Sequence, residues 1–177
     1  MFLDQIRDRR SIRRYRDQAV EKEKVDLLVE AALRSFSSRD IKPWQFVVVD
    51  ERDLLEKLGS AKPHGASFLK TAPLAIVVCA DTAASDVWVE DTAIASTFIH
   101  LAAQDLGLGS CWVQIRKRDH SSAKTADACV KEILRIPETL QVASIIAIGY
   151  PEEIKPGHAK ETLAYDKVFF NQYTPLR

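Results

Sequence analysis

No stretch of this chain is apolar for long enough to span a bilayer. The least polar run, residues 92–108, is interrupted by His100, Gln104 and Asp105, and a spanning helix needs about 20 apolar residues. The start is charged from Asp4 onward and has no signal-type apolar core, so a cytoplasmic location with no membrane partner is expected. Cysteine is scarce. Cys79, Cys111 and Cys129 lie far apart, form no C-x-x-C pair and are odd in number. A disulfide framework is therefore not expected, and buried free thiols are. The four histidines share no metal-ligand spacing with each other or with the cysteines. Neither G-x-G-x-x-G nor a Walker A sequence occurs, which argues against a Rossmann unit and a P-loop. Repeats and low-complexity linkers are missing too. Charge of neither sign dominates: 25 basic and 25 acidic residues cancel, so no general attraction to nucleic acid or anionic membrane is expected.

What the chain does have is a local excess of arginine. Six fall between Arg7 and Arg16, and the run Arg9-Arg10-Ser11-Ile12-Arg13-Arg14-Tyr15 sets a serine hydroxyl among them. The guanidinium fork matches phosphate oxygens two at a time. Focused charge on a neutral protein suits one small phosphorylated ligand better than a nucleic-acid backbone, which calls for a broader basic patch with interleaved aromatics. The competing reading is a solvated basic surface, ion-paired to Asp4, Asp8 or Asp17.

At 177 residues, with 46% apolar and 28% charged residues, the chain fits one domain with a real core. Periodicity predicts a short helix over residues 2–10 and a second through Val25, Leu28, Val29, Ala32 and Leu33. Trp44 to Val49 reads as a strand buried on both faces. A short helix over residues 53–58 precedes Gly59. Further strands are expected over residues 74–80, 110–115 and 142–148. A long helix over about 89–106, rich in small residues and stopped by Gly107, reads as central or interfacial. Another helix covers residues 126–134. The polar tail after Pro151 contains Pro156 and Gly157 and reads as wrapping a neighbour. Alternating helices and strands give a mixed α/β or α+β class with helices on both sheet faces.

Two more segments are candidates for chemistry. Ser37-Ser38-Arg39-Asp40-Ile41-Lys42-Pro43-Trp44 leads into a strand, and such loops favour ligands; for Trp44 itself, a core aromatic is the plainer reading. Gly107-Leu108-Gly109-Ser110-Cys111-Trp112-Val113-Gln114 reads as a helix stop and a strand, with backbone groups of residues 112–114 able to face a ring.

In this order and at these separations, R-R-S-x-R, a serine loop ending in Pro-Trp before V-V-V, a small-residue helix ending in G-L-G-S-C, and a strand ending in I-G-Y-P resemble the flavin-dependent nitroreductase family. The likeness covers residues 1–173. It departs at Ile41-Lys42, where many members have Asn or Gln, at Val113-Gln114 in the flavin loop, and at Lys160, often Arg. The resemblance implies an α+β, three-layer fold with a mixed central sheet flanked by helices. It implies a single domain over residues 1–177, in an intertwined homodimer whose tail, about 152–177, wraps the partner. It also implies FMN at the interface. Arg9, Arg10, Ser11 and Arg13 would hold its phosphate and ribityl chain. Ser37, Ser38 and Arg39, from the other subunit, would line its ring, with Trp112, Val113 and Gln114 beside it and His158 and Lys160 as a late basic phosphate contact. The implied activity is ping-pong electron transfer from NADH or NADPH to a small-molecule acceptor: a nitroaromatic, a quinone or another flavin. No side chain acts as an obligate acid or base, and Arg39 or Lys42 would offset negative charge on the ring. The alternative is a flavin-binding or sensing module with little turnover.

Overall fold

The computed structural model describes residues 1–173. Residues 174–177, the end of the expected domain and of its tail, lie outside the described residues. The elements follow as α1 (Phe2–Asp8), α2 (Lys22–Leu33), β1 (Trp44–Val49), α3 (Arg52–Leu58), β2 (Leu74–Asp81), α4 (Trp88–Asp105), β3 (Gly109–Gln114), β4 (Asp119–Ser121), β5 (Lys124–Thr125), α5 (Ala126–Leu134) and β6 (Leu140–Gly149). Local chemistry accounts for their ends. The Thr125 hydroxyl accepts the Ala128 N–H at 3.1 Å and starts α5. Arg135, left-handed at φ 56°, stops it. Gly107 takes φ +73° just past α4, a conformation in which a side chain is strained.

Four strands form the main sheet in the order β1-β2-β6-β3, and every neighbouring pair is antiparallel. The expected mixed sheet is thus corrected. β2 and β3 do run parallel to each other, but β6 is inserted between them and opposes both. Among the described residues, the one parallel pairing is an isolated bridge between Ser11 and Ser110. The short β4–β5 hairpin was not foreseen.

Helices α2 and α4 cover one face of the sheet, where Leu28, Ala32, Ile99 and Ala103 meet Leu74, Ile76, Val78, Ile146 and Ile148. Helices α3 and α5 cover the other, where Leu55, Leu58 and Val130 meet Ala75, Val77, Val113, Ile145 and Ala147. The alternation along β2 and β6 is what a strand's two-residue period delivers. β1 departs from expectation. It is an edge strand, and Gln45 and Val48 are exposed, because one chain does not cover its outer side. α1 buries none of its residues; Phe2, Leu3 and Ile6 face outward. All three cysteines are free and buried. No helix among the described residues is long and apolar enough to cross a membrane.

Candidate functional site

Helix α1 ends at Asp8, and Arg9 turns into extended backbone at φ −61°, ψ 125°. The chain then lies along the start of β3. The Ile12 N–H donates to the Ser110 carbonyl at 3.0 Å, and the buried Ile12 side chain packs on Gly109, where a Cβ would come within 2.8 Å of it. Only glycine allows that approach. Tyr15 is buried, and its hydroxyl donates to the Ile12 carbonyl at 2.6 Å.

The tail clamps the segment from the other side. The Glu153 carboxylate accepts the N–H groups of Arg13 at 2.6 Å and Arg14 at 3.2 Å. Lys155 Nζ donates to the Ser11 carbonyl at 3.0 Å and pairs with Glu153 at 2.9 Å. The Arg13 N–H and then Lys155 hold Glu153 below the usual carboxylate range. Neither Glu153 nor Lys155 was singled out from sequence. They sit in the E-E-I-K run after Pro151, which reads as an ordinary polar tail.

This clamp engages backbone and leaves side chains free. Arg7 pairs with Asp4 at 2.9 Å and Arg14 with Glu152 at 3.4 Å, and Arg16 donates to the Pro151 carbonyl. Arg9, Arg10 and Arg13 have no carboxylate partner among the described residues. Arg10 donates to the Pro156 carbonyl, and Arg13 lies 5.8 Å over the Phe68 ring. The ion-paired reading therefore fits Arg7 and Arg14; Arg9, Arg10 and Arg13 make no such pair among the described residues, and Arg13 is exposed.

Beside them runs β3, the far edge of the sheet. The Ser110 carbonyl points outward to Ile12. By the alternation of an antiparallel strand, Trp112 and Gln114 also turn their N–H groups to the open edge. Val113 faces inward and is fully buried, so its side chain belongs to the core. The Gln114 side chain is occupied by its own strand. Its oxygen accepts the Trp112 indole N–H, and its amide donates to the Arg116 carbonyl, both at 2.9 Å.

His100, on α4, was missed as well; its signal was a lone imidazole in a helix of small residues. Its Nδ1 lies 2.7 Å from Ser110 Oγ, and its ring stacks on Trp112 with centroids 6.3 Å apart. Burial, then the Arg9 charge, push it down to about 4, so it is neutral near pH 7.

The loop over residues 37–42 sits elsewhere, against the start of α4. The Ser38 N–H donates to Asp91 Oδ1 at 2.8 Å, and Ser37 Oγ accepts the Lys42 N–H at 2.8 Å. Arg39 is paired with Asp86, and Lys42 with Asp40 at 3.0 Å, so neither cation is free. Arg39, Asp40 and Lys42 all have φ near +55°, a left-handed strain that clusters at functional positions. Next to them, the buried Trp44 Nε1 has no acceptor among the described residues. Such an unpaired donor costs about 1–3 kcal/mol. Trp44 is the core aromatic of the plainer reading, with one polar atom left over.

Within one chain, then, Arg9, Arg10, Ser11 and Arg13 are joined to Trp112, Val113 and Gln114. Ser37, Ser38 and Arg39 lie toward the opposite end of α4, a helix about 27 Å long by its rise. His158 and Lys160 are exposed, and among the described residues neither makes a side-chain hydrogen bond or ion pair to either group. The joined half presents unpaired guanidinium groups, a serine and outward N–H groups along an open sheet edge. That arrangement can hold a phosphate at one end and the acceptor atoms of a flat ring at the other. No group of three or more His, Cys, Asp or Glu side chains able to hold a metal occurs among the described residues.

Comparison with known proteins bears on the fold and the family. The nitroreductase family model matches residues 6–62 and 54–150. An FMN-dependent nitroreductase from Clostridium difficile is similar in structure. Its TM-score is 0.95 and its identity 44%, over 97% of this chain and 99% of that one. A protein of Methanothermobacter thermautotrophicus, provisionally named NADH dehydrogenase/NAD(P)H nitroreductase, is 39% identical over 88% of this chain and 79% of its own length. The FMN reductase [NAD(P)H] of Bacillus subtilis is 23% identical over 96% of this chain and 75% of its own length.

Proposed function

This chain belongs to the nitroreductase family, an enzyme family of NAD(P)H- and FMN-linked oxidoreductases, and we propose that it binds FMN along the β3 edge and passes electrons from NADH or NADPH to a small-molecule acceptor. One observation carries the reading: among the described residues the three motif arginines, unlike Arg7 and Arg14 beside them, have no carboxylate partner. Charge-assisted bonds to phosphate are worth roughly 1.5–3 kcal/mol each. With Ser11, they fit the phosphate and ribityl end of FMN. The outward N–H groups of Trp112 and Gln114 fit the acceptor atoms of its ring.

A second copy of the chain supplies the rest. Phe2, Leu3, Ile6, Leu27, Leu33 and Phe36 are exposed, as are Leu163, Val168 and Phe170 of the tail. Apolar surface on this scale supports an interface. In such a homodimer, Ser37, Ser38 and Arg39 of one chain, with His158 and Lys160, complete the site of the other.

FMN, when bound, would supply the redox chemistry between a nicotinamide donor and a nitroaromatic, quinone or flavin acceptor. The chain's part is to bind and orient. The arginines fix the phosphate, and the β3 edge donates hydrogen bonds to the ring. Neutral His100 holds Trp112 and Ser110 in place without adding charge. The exposed edge lets donor and acceptor occupy one place in turn, which gives ping-pong kinetics.

The test is an absorption spectrum of the protein as purified and after FMN addition, followed by anaerobic NADH or NADPH. A yellow protein bleached by either donor is expected. A colourless protein that takes up no FMN overturns the reading. A yellow protein that is bleached but turns over no quinone is a flavin-carrying module instead.

A further inference from the structure

Just past Gln114 the chain carries three successive cations, Arg116, Lys117 and Arg118, which the function above does not use. Lys117 is left-handed at φ 56°, so the three side chains are displayed on a tight turn. None of the three makes an ion pair with a carboxylate among the described residues. Arg118 donates only to the neighbouring Lys117 carbonyl, at 3.0 Å, and the Arg116 guanidinium lies 5.4 Å over the Trp88 ring. These residues line a cavity of about 260 Å³.

Two carboxylates line it as well. Asp127 is already engaged, by Lys131 at 3.0 Å and by the Val142 N–H at 2.7 Å. Asp119 is exposed on the rim. The local balance stays positive. Burial and then the Arg118 charge hold nearby Lys62 below the usual lysine range.

The turn is tied to the β3 edge, because the Gln114 side-chain amide donates to the Arg116 carbonyl. Gln114 and Arg118 are four residues apart, and the Arg118 N–H closes the turn onto the Ile115 carbonyl at 3.1 Å, so the cations stand close to the end of the β3 edge. A ligand with a flat head on that edge and a second phosphate beyond it would meet them. Arginine and lysine beside an indole suit a phosphorylated adenosine: the fork takes the phosphate, and the indole offers a face to the base.

Resting on the function proposed above, we infer that the Arg116–Lys117–Arg118 turn with Trp88 binds the 2′-phosphate of the donor's adenosine, so that this enzyme discriminates for NADPH against NADH. The first test is kcat/KM for the two donors on FMN-loaded protein. A ratio of at least ten in favour of NADPH is expected. The double variant Lys117→Ala/Arg118→Ala removes two exposed side chains that support no fold contact. It should bring the ratio toward one, chiefly by raising KM for NADPH. Arg34→Ala, at an exposed arginine just past the end of α2, should leave the ratio as it was.

Direct binding supplies a second readout. Calorimetry should find adenosine 2′,5′-bisphosphate bound at least tenfold tighter than adenosine 5′-monophosphate, and the difference lost in the double variant. A wild-type ratio near one, a ratio unmoved by the substitutions, or equal affinity for the two adenylates overturns the assignment. Failure to take up FMN would instead defeat the proposed function, and the adenylate comparison would still report on the turn.

Discussion

On the α3–α5 face of the sheet, side chains from Leu55 to Ala147 close into one buried cluster, and the helices turn polar faces to solvent. On the α4 face, a smaller cluster is overlain by side chains that stay in water, among them Phe2 at 59% exposure, Leu3 at 58% and Phe36 at 64%. The charged groups repeat the contrast. Arg7 and Arg14 are paired with carboxylates, whereas Arg9, Arg10 and Arg13 are not among the described residues. One part of the molecule satisfies itself; the other, containing the β3 edge and the strained loop before β1, leaves polar and apolar groups unmet among the described residues.

The sharpest way to break this contrast is to remove unsatisfied charge. Arg10→Ala combined with Arg13→Ala should weaken FMN binding by about 3–6 kcal/mol, summing two charge-assisted contacts, as read by flavin fluorescence titration. Arg34→Ala, whose guanidinium is paired with Glu30 at 2.7 Å, should change it little. Equal losses from both would end the phosphate assignment.

In the self-contained layer, Leu58→Ala should cost about 2–5 kcal/mol of unfolding free energy, since a fully buried leucine leaves a cavity. The loss should show in denaturant midpoints with or without FMN.

A smaller effect tests the one strongly shifted histidine of the open layer. His100 is lowered to about 4 when folded, against about 6.5 unfolded. Between those values the unfolded chain binds the extra proton. The stabilisation from neutral His100 is therefore complete above about pH 6.5 and is lost as pH falls toward 4. At pH 5 the loss is on the order of 2 kcal/mol. His100→Gln should flatten that acid limb; an unchanged slope between pH 7 and 5 would remove histidine from the explanation.

The smallest expected effect lies on the open face. Phe36 packs edge-on against Phe98 but is mostly exposed. Phe36→Asp should raise the dimer dissociation constant about tenfold, some 1.4 kcal/mol, in sedimentation experiments, with little change in the stability of the isolated chain. A monomeric wild type would contradict the second-copy proposal.

The sequence made the satisfied parts easier to read than the unsatisfied ones. Residues 126–134 are the same helix in both accounts, because a threonine cap and a following proline act within a few residues. The arginine motif was legible for the same local reason. Glu153 and Lys155 were not, since they act across roughly 140 positions, and nothing in a polar tail marks the pairing. The antiparallel sheet escaped notice because β6 enters between β2 and β3 from far along the chain. The run Val47-Val48-Val49 looks alike whether its own chain or a second copy covers the strand, so its exposure could not be read. For that reason too, the proposed meeting of residues 37–42 with the arginines of a second copy was not open to sequence reading.

The long-range clasp between residues 11–14 and 153–155 has a bearing on biosynthesis. The arginines leave the ribosome first, yet the carboxylate and ammonium that pin their backbone arrive some 140 codons later. Contacts of such sequence separation form late. A nascent polypeptide lacking only its end can have every strand in place and still leave that backbone unpinned, so the FMN site proposed above would be completed only when translation is nearly done.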